Sequence, residues 1–275
     1  MSSRAQHISR ISFPSLFSNH IPPTGHDKIL VSSSQLRAMS AEAQAAKKAL
    51  RKDIKARLSS LDPSEIATQS QQAQNVILNL DAYKRARSLS IYLSMPAAEA
   101  QTDVLVMDAL SEGKKVFVPF LYTPAGSSTT SGKKRKVMDL LRLRSVEEYE
   151  GLERDAWGIP SLGLEGVDER ENAMGGKGLT LANDFDPESG RKDGNLDLVV
   201  VPAVAFDAQM NRLGHGAGFY DAFFTRFCQN GKRPKPYLVG LCLAEQILGQ
   251  EHELPTADWD WRVDAVAAGH GKLLT

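Results

Sequence analysis

"LDLVVVPAVAF" (Leu196–Phe206) is apolar almost without interruption, as expected of a strand covered on both faces. Upstream lie two shorter β-prone runs, "RSLSIYLSM" (Arg87–Met95) and "KKVFVPFLY" (Lys114–Tyr122). Between them "TDVLVMDALSEG" suits a crossover helix ended by Gly113, so the three segments read as a βαβ unit and hence a parallel sheet. Downstream, "PYLVGLCL" (Pro236–Leu243) and "RVDAVAA" (Arg262–Ala268) supply two more strands. The fold class is α/β: a single three-layer domain with a mostly parallel central sheet flanked by helices.

Before the first strand, "AEAQAAKKALRKDIKARL" is rich in strong helix formers, and Ala46, Leu50, Ile54 and Leu58 recur every four residues along one face. Lys47 and Arg51 share a neighbouring face. "LDPSEI" announces a second helix, with Asp62 at the N-cap, Pro63 at the first helical position and Glu65 placed for a capping box. Residues 1–40 stand outside the fold. Up to His26 they hold no acidic residue, and Arg4 and Arg10 lie among several serines. That is the composition of an organellar transit peptide or of a disordered extension, and Met39 offers a second start. A mitochondrial and a cytoplasmic location both remain open. The folded domain is then residues 41–275. Two Gly-, Ser- and charge-rich stretches, 123–136 and 172–195, read as inserted, solvated loops.

Composition excludes several functions. With 33 basic and 33 acidic side chains in 275 residues, the chain carries no net charge and lacks the cationic excess of a nucleic-acid or anionic-membrane binder. The basic run Lys133–Lys136 has no interleaved aromatics and reads as a solvated loop. No apolar run approaches the roughly 18 residues of a membrane span. Cys228 and Cys242 have no metal-ligand spacing and read as free thiols, which fits a reducing compartment.

Chemistry concentrates in "NRLGHGAGFYDAFF" (Asn211–Phe224). Gly214, Gly216 and Gly218 follow the most apolar strand and precede a helix whose Phe219, Phe223 and Phe227 fall every four residues. A glycine loop entering a helix N-terminus exposes backbone N–H groups and positive dipole potential, which together suit phosphate. The spacing matches neither the dinucleotide nor the Walker fingerprint, so a structural turn remains the alternative. Arg212 is placed to add a charge-assisted contact. Asp221 is suited either to Mg²⁺ or to complementing the helix dipole. Phe219 and Tyr220 suit either a flat ligand or the core.

"VVVPAVAFDAQMNRLGHGAGFYD" (Val199–Asp221) resembles the signature of the 5-formyltetrahydrofolate cyclo-ligases, also called methenyltetrahydrofolate synthetases. Weaker likenesses follow in the same order from about Ala46 to Gly269: "KKALR", "YLSMPAAEAQTD", "WGIPSL" and "DWDWRVDAV". The resemblance implies an isomerase/CoA-transferase-like scaffold and ATP-dependent conversion of 5-formyltetrahydrofolate to 5,10-methenyltetrahydrofolate, with release of ADP and phosphate. ATP phosphorylates the formyl oxygen, and N10 then attacks the activated carbon. It further implies that ATP is held by Lys47 and Arg51 and by the run Arg212, Leu213, Gly214, His215, Gly216, Ala217, Gly218, Phe219 and Tyr220. The reduced folate falls to Arg51, Leu93, Glu99, His215, Gly216 and Phe219. Asp221 and Asp260 hold Mg²⁺, and Arg212, His215 and Tyr220 act in catalysis. The partners are these small molecules, with neither nucleic acid nor membrane, and the expected state is a monomer.

Two departures stand out. His215 replaces the family's second loop arginine, a permanent planar cation, with a group that titrates near pH 6.5, so weaker or pH-dependent ATP binding is expected. Phe219 replaces one tyrosine of a pair. Two rival readings are an isomerase-like enzyme on the same scaffold, acting on a sugar phosphate without ATP, and a non-catalytic folate-binding protein.

Overall fold

The computed structural model describes residues 33–124, 136–180, 194–228 and 233–275. The loop 123–136 and the later part of 172–195 therefore lie almost wholly outside the described residues, as does the start of the N-terminal extension. The compact unit is Ala45–Thr275. Of the unit Met1–Gln44 that precedes it, the described part is helical from Ser33, eight residues before the expected start.

Helices α1 (Ser33–Leu58), α2 (Pro63–Asn79) and α3 (Asp81–Arg85) lead into β1 (Ser88–Ile91), α4 (Asp103–Ser111), β2 (Lys115–Tyr122) and β3 (Val137–Leu143). There follow α5 (Val146–Glu150), a small hairpin of β4 (Glu153–Arg154) and β5 (Pro160–Ser161), and β6 (Leu198–Val201). A second hairpin, β7 (Ala205–Phe206) with β8 (Arg212–Leu213), precedes α6 (Phe219–Cys228). The chain ends with β9 (Tyr237–Cys242), β10 (Ala265–Ala268) and β11 (Lys272–Leu274).

Among the described residues, seven strands form the main sheet in the order β11-β10-β9-β6-β1-β2-β3. The five inner strands run parallel, and the edge strands β3 and β11 are antiparallel. These two edges were not expected from the sequence. The βαβ unit forms as read, with α4 between β1 and β2 and Gly113 at φ 69° past its C-terminal end.

Alternation along β6 shows how both faces are covered. Leu198 and Val200 enter the core shared with Ile54, Leu58, Ile66 and Leu105 from α1, α2 and α4. Val199 and Val201 enter the other, built on Phe223, Phe224 and Phe227 of α6. Each fully buried phenylalanine contributes roughly 1.5–3 kcal/mol by leaving water. The long apolar run Leu196–Phe206 is not one strand, however. Pro202, which has no N–H to donate to a ladder, ends β6, and the chain turns into β7.

Two local readings are corrected. Asp62 occupies the N-cap of α2 with Pro63 following, but its side chain makes no capping bond. Glu65 accepts a hydrogen bond from Gln69 Nε2 at 3.0 Å, so the capping box does not form. The described start of the second loop is also not solvated. Asn172, Ala173, Met174 and Thr180 are buried. Asn172 and Thr180 are held by Asp139, wholly enclosed on β3, which accepts bonds from Thr180 N at 2.7 Å, Asn172 Nδ2 at 3.2 Å and Arg226 of α6 at 3.3 Å. Cys228 and Cys242 are both buried and free, and no helix among the described residues is long and apolar enough to cross a membrane.

Candidate functional site

Strand β1 is bordered by β2 on one side and β6 on the other, so the chain leaves β1 and β6 in divergent directions. A crevice outside the carboxyl ends of two such strands is where open α/β sheets hold ligands. The segment after β1 carries Leu93 and Glu99, and the segment after β6 carries the glycine loop.

The β6 connection is built around Asp207, which is almost wholly buried. Its carboxylate accepts the N–H groups of Gln209 at 3.0 Å, Asn211 at 2.9 Å and Leu254 at 2.9 Å, and Asn211 Nδ2 at 2.8 Å. This clamp fixes the turn in which Met210 takes φ 62°, a conformation costing about 1–3 kcal/mol for a residue with a side chain. Arg212 therefore leaves β8 in one direction. Its guanidinium is almost enclosed, gives Nη2 to Asp221 Oδ1 at 2.8 Å and lies 5.6 Å from the Tyr220 ring centroid. Its Nε is buried with no partner among the described residues, and so is the Tyr220 hydroxyl. Unpaired buried polar atoms of this kind are costly unless a ligand meets them.

The three glycines have separate reasons. A Cβ at Gly214 would stand 3.1 Å from Arg212 Nη1, and Gly216 and Gly218 hold φ of 104° and 67°. Arg51, half-buried on α1, donates Nε to the Gly214 carbonyl at 2.8 Å. The Gly218 carbonyl accepts the Ala222 N–H at 3.0 Å, so Gly218 opens α6 and the N–H groups that follow it lack helical partners. His215, Gly216, Ala217 and Gly218 are exposed. The His215 ring has its pKa pressed down, first by loss of water around it and then by the positive charges of Arg51, Arg212 and Lys55. The side chain still reaches solvent, so both effects act on a ring that is only partly enclosed.

Asp221 Oδ1 also accepts the Trp261 N–H at 3.1 Å, and Trp261 packs its ring 5.8 Å from Phe224. That places the preceding residue, Asp260, at the same corner. Asp260 Oδ2 takes Lys47 Nζ at 2.9 Å and the Ala257 N–H at 3.0 Å. Both expected magnesium carboxylates are thus ion-paired. Among the described residues no group of three or more His, Cys, Asp or Glu side chains is arranged to hold a metal.

On the β1 side, Tyr92 donates its hydroxyl to the Ala100 carbonyl at 2.8 Å, and Thr102 Oγ1 binds the Tyr92 carbonyl at 2.8 Å. These bonds fold the "PAAEA" turn, in which Ala98 takes φ 58°, and direct Glu99 inward. Glu99 is 8% exposed, and burial pushes its pKa up to about 7 although the Met95 N–H, bonded to Oε2 at 2.8 Å, favours the carboxylate. Burial also raises Tyr220, with the negative charge of Glu99 adding to it and Arg212 opposing it. Leu93 is buried beside the same turn.

Arg51, Arg212 and Lys55 thus gather about the glycine loop, and the buried Glu99 lies close enough to Tyr220 to act on its hydroxyl. The model of the 5-formyltetrahydrofolate cyclo-ligase family matches residues 43–269. The chain belongs to this family. It is 33% identical to the mouse 5-formyltetrahydrofolate cyclo-ligase over 80% of this chain and 92% of the mouse protein. It is 30% identical to the Saccharomyces cerevisiae cyclo-ligase over 83% of this chain and 98% of the yeast protein. A mitochondrial cyclo-ligase of Arabidopsis thaliana is 24% identical over 82% and 74% of the two chains. Among solved structures, the 5,10-methenyltetrahydrofolate synthetase of Aquifex aeolicus superposes with TM-score 0.52 at 25% identity, covering 81% of this chain and 89% of that one.

For a cyclo-ligase, the structure brings Arg51, Arg212 and the glycine loop together, and it joins Lys47 to Asp260 and Arg212 to Asp221. Three contributors were not expected from the sequence. Lys55 lies one turn beyond Arg51 and was legible from the same four-residue spacing. Trp261 acts through its backbone, which no side-chain pattern reveals. Asp207 lies within the signature-like run Val199–Asp221, but no role was read for it there.

Proposed function

We propose that this chain catalyses the ATP-dependent cyclisation of 5-formyltetrahydrofolate to 5,10-methenyltetrahydrofolate, releasing ADP and phosphate. The observation that supports this most is the pair Arg51 and Arg212 set against Gly214–Gly218 at the start of α6, where guanidinium groups and open helix N–H groups face one place. Such a site neutralises and positions a polyphosphate, which is most of what phosphoryl transfer requires.

On this reading the γ-phosphoryl group moves to the formyl oxygen, converting a poor leaving group into phosphate. N10 then bonds to the formyl carbon, its proton is lost, and the carbon–oxygen bond breaks as phosphate departs. Arg212, Arg51 and His215 hold phosphate oxygens, and the unpaired Tyr220 hydroxyl and Arg212 Nε find partners on the bound ligands. Glu99 in its carboxylate form accepts hydrogen bonds from the folate ring system, with Leu93 and Phe219 against its apolar surface. Asp221 and Asp260 form an oxygen donor set suited to Mg²⁺, each having one carboxylate oxygen outside the bonds to Arg212, Trp261, Lys47 and Ala257. When bound there, the ion supplies charge neutralisation on the phosphates.

Residues 41–275 form the catalytic domain on this reading. Residues 1–40 are an extension to a protein that acts as a monomer, in mitochondria or cytoplasm. The experiment is a spectrophotometric assay for the methenyl product with MgATP and 5-formyltetrahydrofolate. Product formation that requires ATP supports the proposal. Binding of the folate without product would favour a storage role, and turnover of a sugar phosphate with no nucleotide would favour the isomerase-like reading.

A further inference from the structure

We propose that MgATP binding to this site is coupled to uptake of a proton by His215, so that nucleotide affinity rises as pH falls through neutrality. The inference rests on the nucleotide reading above and adds a regulatory property to it.

His215 lies between two glycines that each meet guanidinium groups. Gly214 accepts Arg51 Nε at 2.8 Å, and its Cβ position would be 3.1 Å from Arg212 Nη1. The Cβ position of Gly216 would be 3.5 Å from Arg51 Cζ. Lys55, on the same side of α1 as Arg51, adds a third positive charge. Only Arg212 of these three has a carboxylate partner among the described residues, and Lys47 further along α1 is already matched by Asp260. On α6 the remaining ionisable neighbours supply no free negative charge: Tyr220 is pushed up by burial, and Asp221 is committed to Arg212 and the Trp261 N–H. Loss of water around the ring, and then these positive charges, hold the imidazole of the free protein below its ordinary pKa.

A triphosphate reverses the local field. Its oxygens favour the imidazolium, which then offers two N–H donors in place of one. Protonation is thus disfavoured in the free protein and favoured in the complex. Between the two pKa values, binding consumes up to one proton, and affinity gains as much as about tenfold per pH unit as pH falls. Outside that window this contribution is flat.

The test is calorimetric titration with MgATP at pH 7.5, in zwitterionic buffers that differ in ionisation enthalpy, on the parent and on His215→Gln and His215→Arg. The dependence of apparent enthalpy on buffer counts protons, and His215→Gln subtracts any titration of the nucleotide itself. The expected result is a fractional proton taken up by the parent beyond His215→Gln. With it goes a severalfold larger gain in parent affinity from pH 8 to 6.5. His215→Arg binds more tightly at pH 8 and lacks the extra uptake. Equal proton counts in parent and His215→Gln would overturn the proposal while leaving the nucleotide reading intact. No MgATP binding by the parent at any of these pH values would remove the nucleotide reading, and the proposal with it.

Discussion

Burial holds the Glu99 carboxyl at about 7, well above its ordinary range, and this has one consequence for stability and another for activity. An unfolded glutamate titrates near 4.5, so the buried carboxylate carries no cost below that pH, a growing cost between 4.5 and 7, and its full cost above 7. Glu99→Gln removes the ionisation while leaving an oxygen to accept the Met95 N–H. We expect it to stabilise the folded protein by about 2–4 kcal/mol at pH 8 and to leave stability unchanged near pH 4. Urea unfolding at the two pH values measures both. If the carboxylate grips the folate, the same substitution sharply lowers turnover at every pH. The residue types at this site were readable from the sequence, since Arg51, Arg212, Glu99 and Asp221 stand in recognisable short contexts. Their pairings were not, because Lys47–Asp260 and Arg212–Asp221 are meetings across 213 and nine residues that only the folded backbone sets.

Helix α6 carries the site at its first turn and is tied to the sheet further along. Arg226 reaches Asp139 on β3, and Asp139 in turn holds Thr180 and Asn172. Removing the carboxylate leaves several donors unmatched in a dry interior, and Asp139→Ala should cost about 2–4 kcal/mol of unfolding free energy. Denaturant titration reads this directly, and a loss under 1 kcal/mol would mean that the network is incidental. This element was poorly legible. "VMDLLRL" (Val137–Leu143) is an apolar strand adjoining a low-complexity stretch, and its central Asp makes sense only when its partners, up to 87 residues away, are known. By contrast, α4 and the Phe223/Phe227 stripe were readable because their signals are local: periodicity, a glycine stop and a crossover between two β-prone runs. The capping box failed for the opposite reason. Glu65 has the correct spacing, but Gln69 one turn along binds its carboxylate instead.

The compact unit is built on a mostly parallel sheet whose strand order turns at β1 and β6, and the two halves of the candidate site hang from those strands. The α/β class was legible because β6 is covered on both faces and looks it. The antiparallel edges were not, since β3 and β11 carry no crossover helix to announce them. A site shared by two chain segments implies that ligands tie them together. Saturation with MgATP at about 100 times its dissociation constant should add about 2.7 kcal/mol and raise the thermal midpoint by about 5–10 °C, with the gain reduced by a chelator. A midpoint indifferent to MgATP would argue against a nucleotide site.

The most direct measurement of the central claim is the rate of methenyl product formation with saturating 5-formyltetrahydrofolate, with and without MgATP, for the parent, Arg212→Ala and Asp221→Ala. The arrangement around the glycine loop predicts turnover only with MgATP and a loss of about 100-fold or more in kcat/KM for each variant. Nucleotide-independent turnover, or variants within a few fold of the parent, would contradict it.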